Sequence, residues 1–516
     1  MFRNLKLIFV ALALSALSLS VVVWPQEGAN NQGKNRQENA LGPRIQPAQP
    51  APPPLRRAPA QGADTLTRLE HWNELAINAT GLDHTPVAVG EQRVFGEQLG
   101  PGRSSRAMAI IHIAMFDAMN AVVGGYRGYT GVIAPRGPIS VDAAIAKAAC
   151  ETLAALYPSQ ATSFNAALAD DLAQLADNPA KANGIELGRR AAAAILALRA
   201  NDGSQYVEQQ VGVDFITSND PGKWRQDLIS LIPLALGAKW GAVKPFVMRS
   251  GAQFRIAPPP ALTSAEYAAA FNEAKRLGGD GITTATQRTA EQTEIGTYWA
   301  YDGTPSLCAP PRLYNQIAVQ IAEQMGANAM EMARLLALAN VAMADAGIAA
   351  WESKYFYQYW RPITGIREAD AGTGPTGLGD GNAATLGDAA FSPLGAPASN
   401  LSGPNFTPPF PAYPSGHAVF GAALFETLRD FFRTDNVAFT FVSDEFNGVT
   451  RDNQGVVRLL KPRSFTSLSQ AEEENGQSRV YLGIHWSFDK TAGIAQGRRV
   501  ADFVRENVFV PLGPRR

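Results

Sequence analysis

Three short stretches of the chain carry residue types that can hold and transform an oxyanion. In "KYFYQYWRP" (354–362), Lys354 and Arg361 stand seven apart, so a helix would put both cations on one face, two turns from each other. Pro362 disfavours the α conformation at Arg361 and predicts that the helix ends there. In "YPSGHAVFGAA" (413–423), Ser415 is placed to cap a helix, Gly416 lets a ligand approach the backbone, and His417 falls in the first turn, where free amides attract anions. Phe420, Leu424, Leu428 and Phe431 then give that helix a core face. In "SRVYLGIHWSFD" (478–489), Arg479 and His485 are six apart, so a joint role needs a break between them, which Gly483 supplies; Asp489 could orient the imidazole. Taken singly, each stretch also reads as an ordinary helix terminus, since a capping serine needs no ligand and cations suit a helix C-terminus.

Together the stretches offer two arginines, a lysine, a hydroxyl, free amides and two of the five histidines in the chain. Arginine forks and a lysine point charge are the donors a tetrahedral or trigonal-bipyramidal oxyanion requires. One imidazole could bond the central atom while the other moves protons. His71, His84 and His112 have no such company, and His112, inside an apolar helical stretch, reads as a core residue.

The elements that must position these groups are mainly helical. Apolar residues recur at three- and four-residue spacing in "RAMAIIHIAMFDAMNAVV" (106–123), "GIELGRRAAAAILALRA" (184–200), "PALTSAEYAAAFNEAKRLG" (260–278) and "EMARLLALANVAMADAGIAAWESKYFYQYW" (331–360). Strand-like runs are few, as at "VAFTFV" (437–442), and an irregular loop fills 370–412. The predicted fold is mainly α, two packed helical bundles with long irregular loops and little strand. With 516 residues, 46% of them hydrophobic, there is ample material for a core. The net charge of −1 gives no general attraction to nucleic acid, and two cysteines, Cys150 and Cys308, exclude a thiolate metal cage; one disulfide or two buried thiols both remain open.

At the N-terminus, Arg3 and Lys6 precede an apolar run from Leu7 to Trp24, so residues 1–24 read as a signal peptide or an N-terminal anchor and the remainder as exported, secreted or periplasmic. Residues 25–62 are rich in Pro and Gln and read as a disordered linker. Residues 63–516 form the catalytic domain, with the site in about 290–516.

The ordered set Lys-x6-Arg-Pro, Pro-Ser-Gly-His and Ser-Arg-x5-His resembles the signature of the type 2 phosphatidic acid phosphatase superfamily, which includes bacterial acid phosphatases and vanadium-dependent haloperoxidases. Within it, "YWAYDG" (298–303), "PPRLYNQI" (310–317), "DAGIAAWESKYFYQYWRPITGIR" (345–367) and "PPFPAYPSGHAVFGAALF" (408–425) look like segments of the fungal-type vanadium chloroperoxidases. The resemblance implies a vanadate cofactor with His485 on the metal and Lys354, Arg361, Ser415, Gly416 and Arg479 on its oxygens. It implies His417 as acid/base residue, Lys354 as the group that polarises bound peroxide, Asp302 as partner of Arg479, and Trp351 and Phe410 beside the halide. Hydrogen peroxide, halide and a small organic molecule would be the substrates, with a hypohalous-acid equivalent as the oxidant formed. Brominating relatives look to have histidine at the position of Phe410, which leans towards chlorination, although chloride, bromide and iodide all stay open. The alternative is a phosphomonoesterase with His485 as nucleophile, through a phosphohistidine, and His417 as general acid.

Overall fold

The structure is a computed structural model that describes residue 36, residues 40–48 and residues 62–513. The segment read as a signal or anchor, and most of the segment read as a linker, lie outside the described residues. Among the described residues there are thirteen α-helices. The first group comprises α1 (Thr65–Asp83), α2 (Gly100–Val123), α3 (Val141–Leu156), α4 (Ala161–Ala173) and α5 (Pro179–Arg199). The second comprises α6 (Ala265–Gly278), α7 (Ala290–Tyr298), α8 (Pro310–Gln324), α9 (Ala329–Tyr357), α10 (Pro362–Arg367), α11 (Gly416–Phe432), α12 (Leu468–Tyr481) and α13 (Ser487–Asn507). The strands are three short antiparallel pairs, β1 (Gln46–Pro47) with β4 (Leu401–Ser402), β2 (Gln209–Gln210) with β3 (Leu234–Ala235), and β5 (Phe439–Val442) with β6 (Pro462–Phe465).

Local sequence explains where the helices begin. Ser264 caps α6, its hydroxyl accepting from the Tyr267 amide at 3.1 Å, and Asn328 with Glu331 forms a reciprocal capping box on α9. Helix α9 is apolar on nearly every side and packs against α2, α11 and α13, which makes it the axis shared by both groups. Its one deeply buried carboxylate, Asp345, accepts the amides of Phe246, Val247 and Met248 at 2.6, 2.8 and 2.9 Å and so fastens the crossover between the groups. Helices α2 and α9 are long and apolar enough to cross a membrane, but both are largely buried inside the protein. His112 is a core residue at 1% exposure, and Cys150 and Cys308 are both free, buried thiols.

Two expectations need correction. Lys354 and Arg361 do not share a helix: α9 stops at Tyr357 because Gln358 takes a left-handed conformation (φ 51°), and Arg361 is extended (φ −85°, ψ 158°) before Pro362 opens α10. The proline effect was read correctly, but the helix ends three residues before Trp360. Residues 40–48 are not a free linker either. They pack on the catalytic domain through β1 and through Ile45, which is 2% exposed.

Candidate active site

The site lies where α9, α11 and α12 end or begin. Lys354 leaves the last turn of α9, Arg361 precedes α10, Ser415 caps α11, Arg479 leaves the last turn of α12, and His485 sits in the link to α13. Gly483, at φ +70°, makes the break that separates Arg479 from His485. Lys354, Ser415, Arg361, Arg479 and His485 are at most 2% exposed. Three cations therefore face two buried carboxylates, Asp302 and Asp489, with little exposure to bulk water. Burial first, then Arg361 and Arg479, holds the Lys354 amine well below its ordinary range. An anion in the cage would relieve that repulsion.

Hydrogen bonds fix the protonation of His485. Arg361 has no acceptor, so its Nη1, 2.8 Å from His485 Nε2, donates to a ring nitrogen that carries a lone pair. The proton is on Nδ1 and is given to Asp489 Oδ2 at 2.8 Å, an oxygen that also accepts from the Trp486 amide at 3.0 Å. Once Arg361 turns its Nη1–H to an anion, His485 presents Nε2 as a ligand or nucleophile, and burial with three nearby cations holds the ring neutral. Burial also pushes the Asp489 carboxyl up, to about 7.

His417 is set the other way round. Its Nε2–H donates to the Ala300 carbonyl at 2.5 Å, which leaves Nδ1 as the proton acceptor. Burial, then Arg479, keeps this imidazole neutral. The His417 carbonyl accepts from Tyr314 Oη at 3.0 Å and Asn475 Nδ2 at 2.9 Å, so the first turn of α11 is pinned independently of the ring.

The donors differ in how free they are. Arg479 bonds Asp302 Oδ1 through Nη2 at 2.6 Å, while its Nε and Nη1 are buried with no partner. Arg361 is spent on the carbonyls of Phe410 and Ile484, at 2.9 and 2.8 Å, and on His485. The three N–H groups of Lys354 go to the carbonyls of Pro411, Ala412 and Pro414. To donate to a ligand, Lys354 must release one of them. Phe410 lies 5.0 Å from both Lys354 Nζ and the Arg361 guanidinium carbon, and 4.9 Å between ring centres from Trp351. Gly416 packs under Trp351, whose ring carbon would lie 3.4 Å from any added Cβ.

A family model described as the VCPO second helical-bundle domain matches residues 334–511. The vanadium chloroperoxidase of Curvularia inaequalis is 31% identical over 505 residues, covering 82% of this chain and 78% of that one. The chain belongs to the vanadium chloroperoxidase family. Among solved structures, a bacterial vanadium-dependent iodoperoxidase has a TM-score of 0.67 at 24% identity, covering 89% of this chain and 100% of that one. The holo form of a bacterial vanadium-dependent chloroperoxidase has a TM-score of 0.59 at 18% identity, covering 81% and 93%. These two likenesses establish the shared helical fold.

All eleven residues singled out from the sequence meet in or beside this one cavity. Sequence reasoning missed the groups that hold them: the Ala300 carbonyl, Asn475 and Tyr314. Tyr314 lies within the family-like stretch 310–317, but nothing in that string points to a contact with residue 417. It also left His84 without company, whereas His84 lines the cavity wall. That ring accepts the Gly100 amide on Nε2 and donates from Nδ1 to the Thr80 carbonyl, each at 2.9 Å, which fits it for holding the wall together.

Proposed function

We propose that the chain oxidises halide with hydrogen peroxide at a vanadate held in this cage. The observation that carries the reading is the buried cage itself: His485 Nε2 kept unprotonated by Asp489 and Arg361, facing unpartnered arginine donors. The residues present fit a vanadate. Its negative charge complements three buried cations, its oxygens fit the orphaned Nε and Nη1 of Arg479 and the opening amides of α11, and an imidazole lone pair fits its metal. When bound, vanadate supplies a Lewis-acidic centre that activates peroxide without changing its oxidation state. The overall reaction consumes one proton, H2O2 + X⁻ + H⁺ giving HOX + H2O.

The chain's own residues supply position and protons. His485, Arg479, Ser415 and the Gly416 amide would hold the oxyanion, joined by Arg361 once it turns an N–H from His485 to the anion. His417 Nδ1 accepts a proton from entering peroxide and returns it to the departing oxygen, a task that suits a neutral imidazole fixed by Ala300. Lys354, released from one loop carbonyl, polarises the peroxide oxygen that halide attacks. Phe410 and Trp351 give the halide a dry approach beside that ammonium.

The test compares apoprotein reloaded with vanadate and apoprotein given an aryl phosphate. Peroxide-dependent halogenation of a cyclic diketone after vanadate loading is the expected result. Rapid phosphate hydrolysis that vanadate only inhibits, with no halogenation by any halide, would overturn the reading and favour a phosphomonoesterase.

Asp489→Asn probes the ligand's orientation. A neutral amide oxygen in place of the carboxylate polarises the Nδ1–H of His485 less and makes Nε2 a weaker ligand, so vanadate affinity is expected to fall about 10- to 100-fold. The melting temperature should stay near that of the parent, because the amide oxygen still accepts the Trp486 N–H. Equilibrium dialysis against vanadate and a thermal melt check the two statements.

A further inference from the structure

The cavity above the cage is larger than one halide ion and one peroxide molecule require. Its volume is about 80 Å³, room for several water-sized molecules. Its floor is the cage; its outer wall is apolar, formed by Leu41, Ile45, Ile232, Leu234, Leu401 and Phe406. Such a wall gives nothing to a hydrated anion but favours an apolar molecule. Apart from the cage groups, Trp351 and His84, the lining among the described residues carries no side chain that a hypohalous acid readily consumes.

Part of this wall comes from residues 40–47, and its attachment is built. Gln46 and Pro47 pair with Ser402 and Leu401, and Arg44 Nη1 donates to the Ile229 carbonyl at 3.0 Å. Ile45 joins a buried cluster with Ile232, Leu234, Leu401, Phe406 and Ile484, the neighbour of His485. Gly403, at φ +116°, allows the approach, since a Cβ there would lie 2.3 Å from the Arg44 carbonyl oxygen. Gly42, at φ +69°, lies over Ile232, where a Cβ would stand 3.0 Å from its Cα.

We propose that residues 40–47 form the outer wall of a binding site for an apolar organic substrate with an electron-rich π bond, so that halogenation is directed onto a bound molecule. The inference rests on the haloperoxidase reading. The π pair of the bound molecule forms the carbon–halogen bond, the oxygen–halogen bond breaks, and the displaced hydroxide takes the proton lost from carbon, R–H + HOX giving R–X + H2O.

The test uses the full chain loaded with vanadate and supplied with bromide and peroxide. 4-Hexylphenol and phenol compete, and the product ratio is compared with that given by reagent hypobromite. The parent protein is expected to favour 4-hexylphenol about tenfold more than the reagent does, as a few buried methylenes provide. Ile45→Asp should return the ratio to the reagent's value; Leu41→Asp, at a half-buried position, makes the same test with less risk to folding. A parent ratio equal to the reagent's, or a ratio that both variants leave unchanged, would overturn the proposal. Triiodide formation from iodide and peroxide needs no organic substrate and reports the cage separately. Its absence in the parent would sink the haloperoxidase reading, while binding of N-phenyl-1-naphthylamine to the apoprotein, expected to weaken in Leu41→Asp, still tests the pocket. No binding of that probe to the parent counts against it.

Discussion

Replacing His485 with alanine removes vanadate retention and halide oxidation together. The variant loses the imidazole lone pair offered inside the cage, and His417 does not replace it, because its ring is fixed through Nε2 to Ala300 and its backbone to Tyr314 and Asn475, which keeps Nδ1 from swinging into the vacated position. The fold should survive. Asp489 keeps the Trp486 amide, and its carboxyl, already pushed up to about 7 by burial, can take a proton in place of the lost donor. The expected cost to the apoprotein is therefore about 1–3 kcal/mol, that of one deprived buried acceptor. Vanadate at a hundred times its dissociation constant should stabilise the parent by about 2.7 kcal/mol and leave the variant unmoved. Thermal melts with and without vanadate read this directly. A vanadate-dependent rise in the melting temperature of His485→Ala would mean that another group binds the metal.

Replacing His417 with alanine separates holding the cofactor from using it. The ring is tied only to backbone carbonyls, those of Ala300 and Trp299, while the pinning of α11 runs through the residue's own carbonyl, which alanine keeps. Vanadate-dependent stabilisation should thus stay close to the parent's. Halide oxidation should fall by about 10²- to 10⁴-fold, the usual worth of a positioned proton-transfer group. Triiodide formation at saturating vanadate gives the rate, and equilibrium dialysis gives the affinity. Equal loss of both would assign His417 to the cage; loss of neither would leave the proton transfer to solvent.

The parts of this site that were legible in the sequence are those fixed by local rules. Pro362 announced an extended Arg361, Ser415 and Gly416 announced a helix start, and Gly483 announced the break before His485. What the sequence did not show was set by distant backbone. The early stop of α9 depends on the strand-like pairing of Tyr359 with Lys223 and on the Trp360 amide reaching the Gly222 carbonyl, contacts some 140 residues apart in the chain. The same holds for residues 40–48. Their composition, poor in large apolar side chains, reads as unstructured, yet Ile45 joins a buried cluster, with Ala40 and Leu41 packed against it, because Gly403 leaves room for the backbone to pass. Composition averages over a window, whereas docking depends on one side chain and one missing Cβ.

The way Lys354 is held bears on which residue can stand at that position. Its ammonium is tetrahedral, and three loop carbonyls, from Pro411, Ala412 and Pro414, meet its three hydrogens. A guanidinium directs its hydrogens within one plane and cannot match three acceptors gathered around a point. Arginine at 354 would keep the charge but lose the join between the end of α9 and the turn leading into α11, so this site is lysine's for reasons of symmetry as much as of charge.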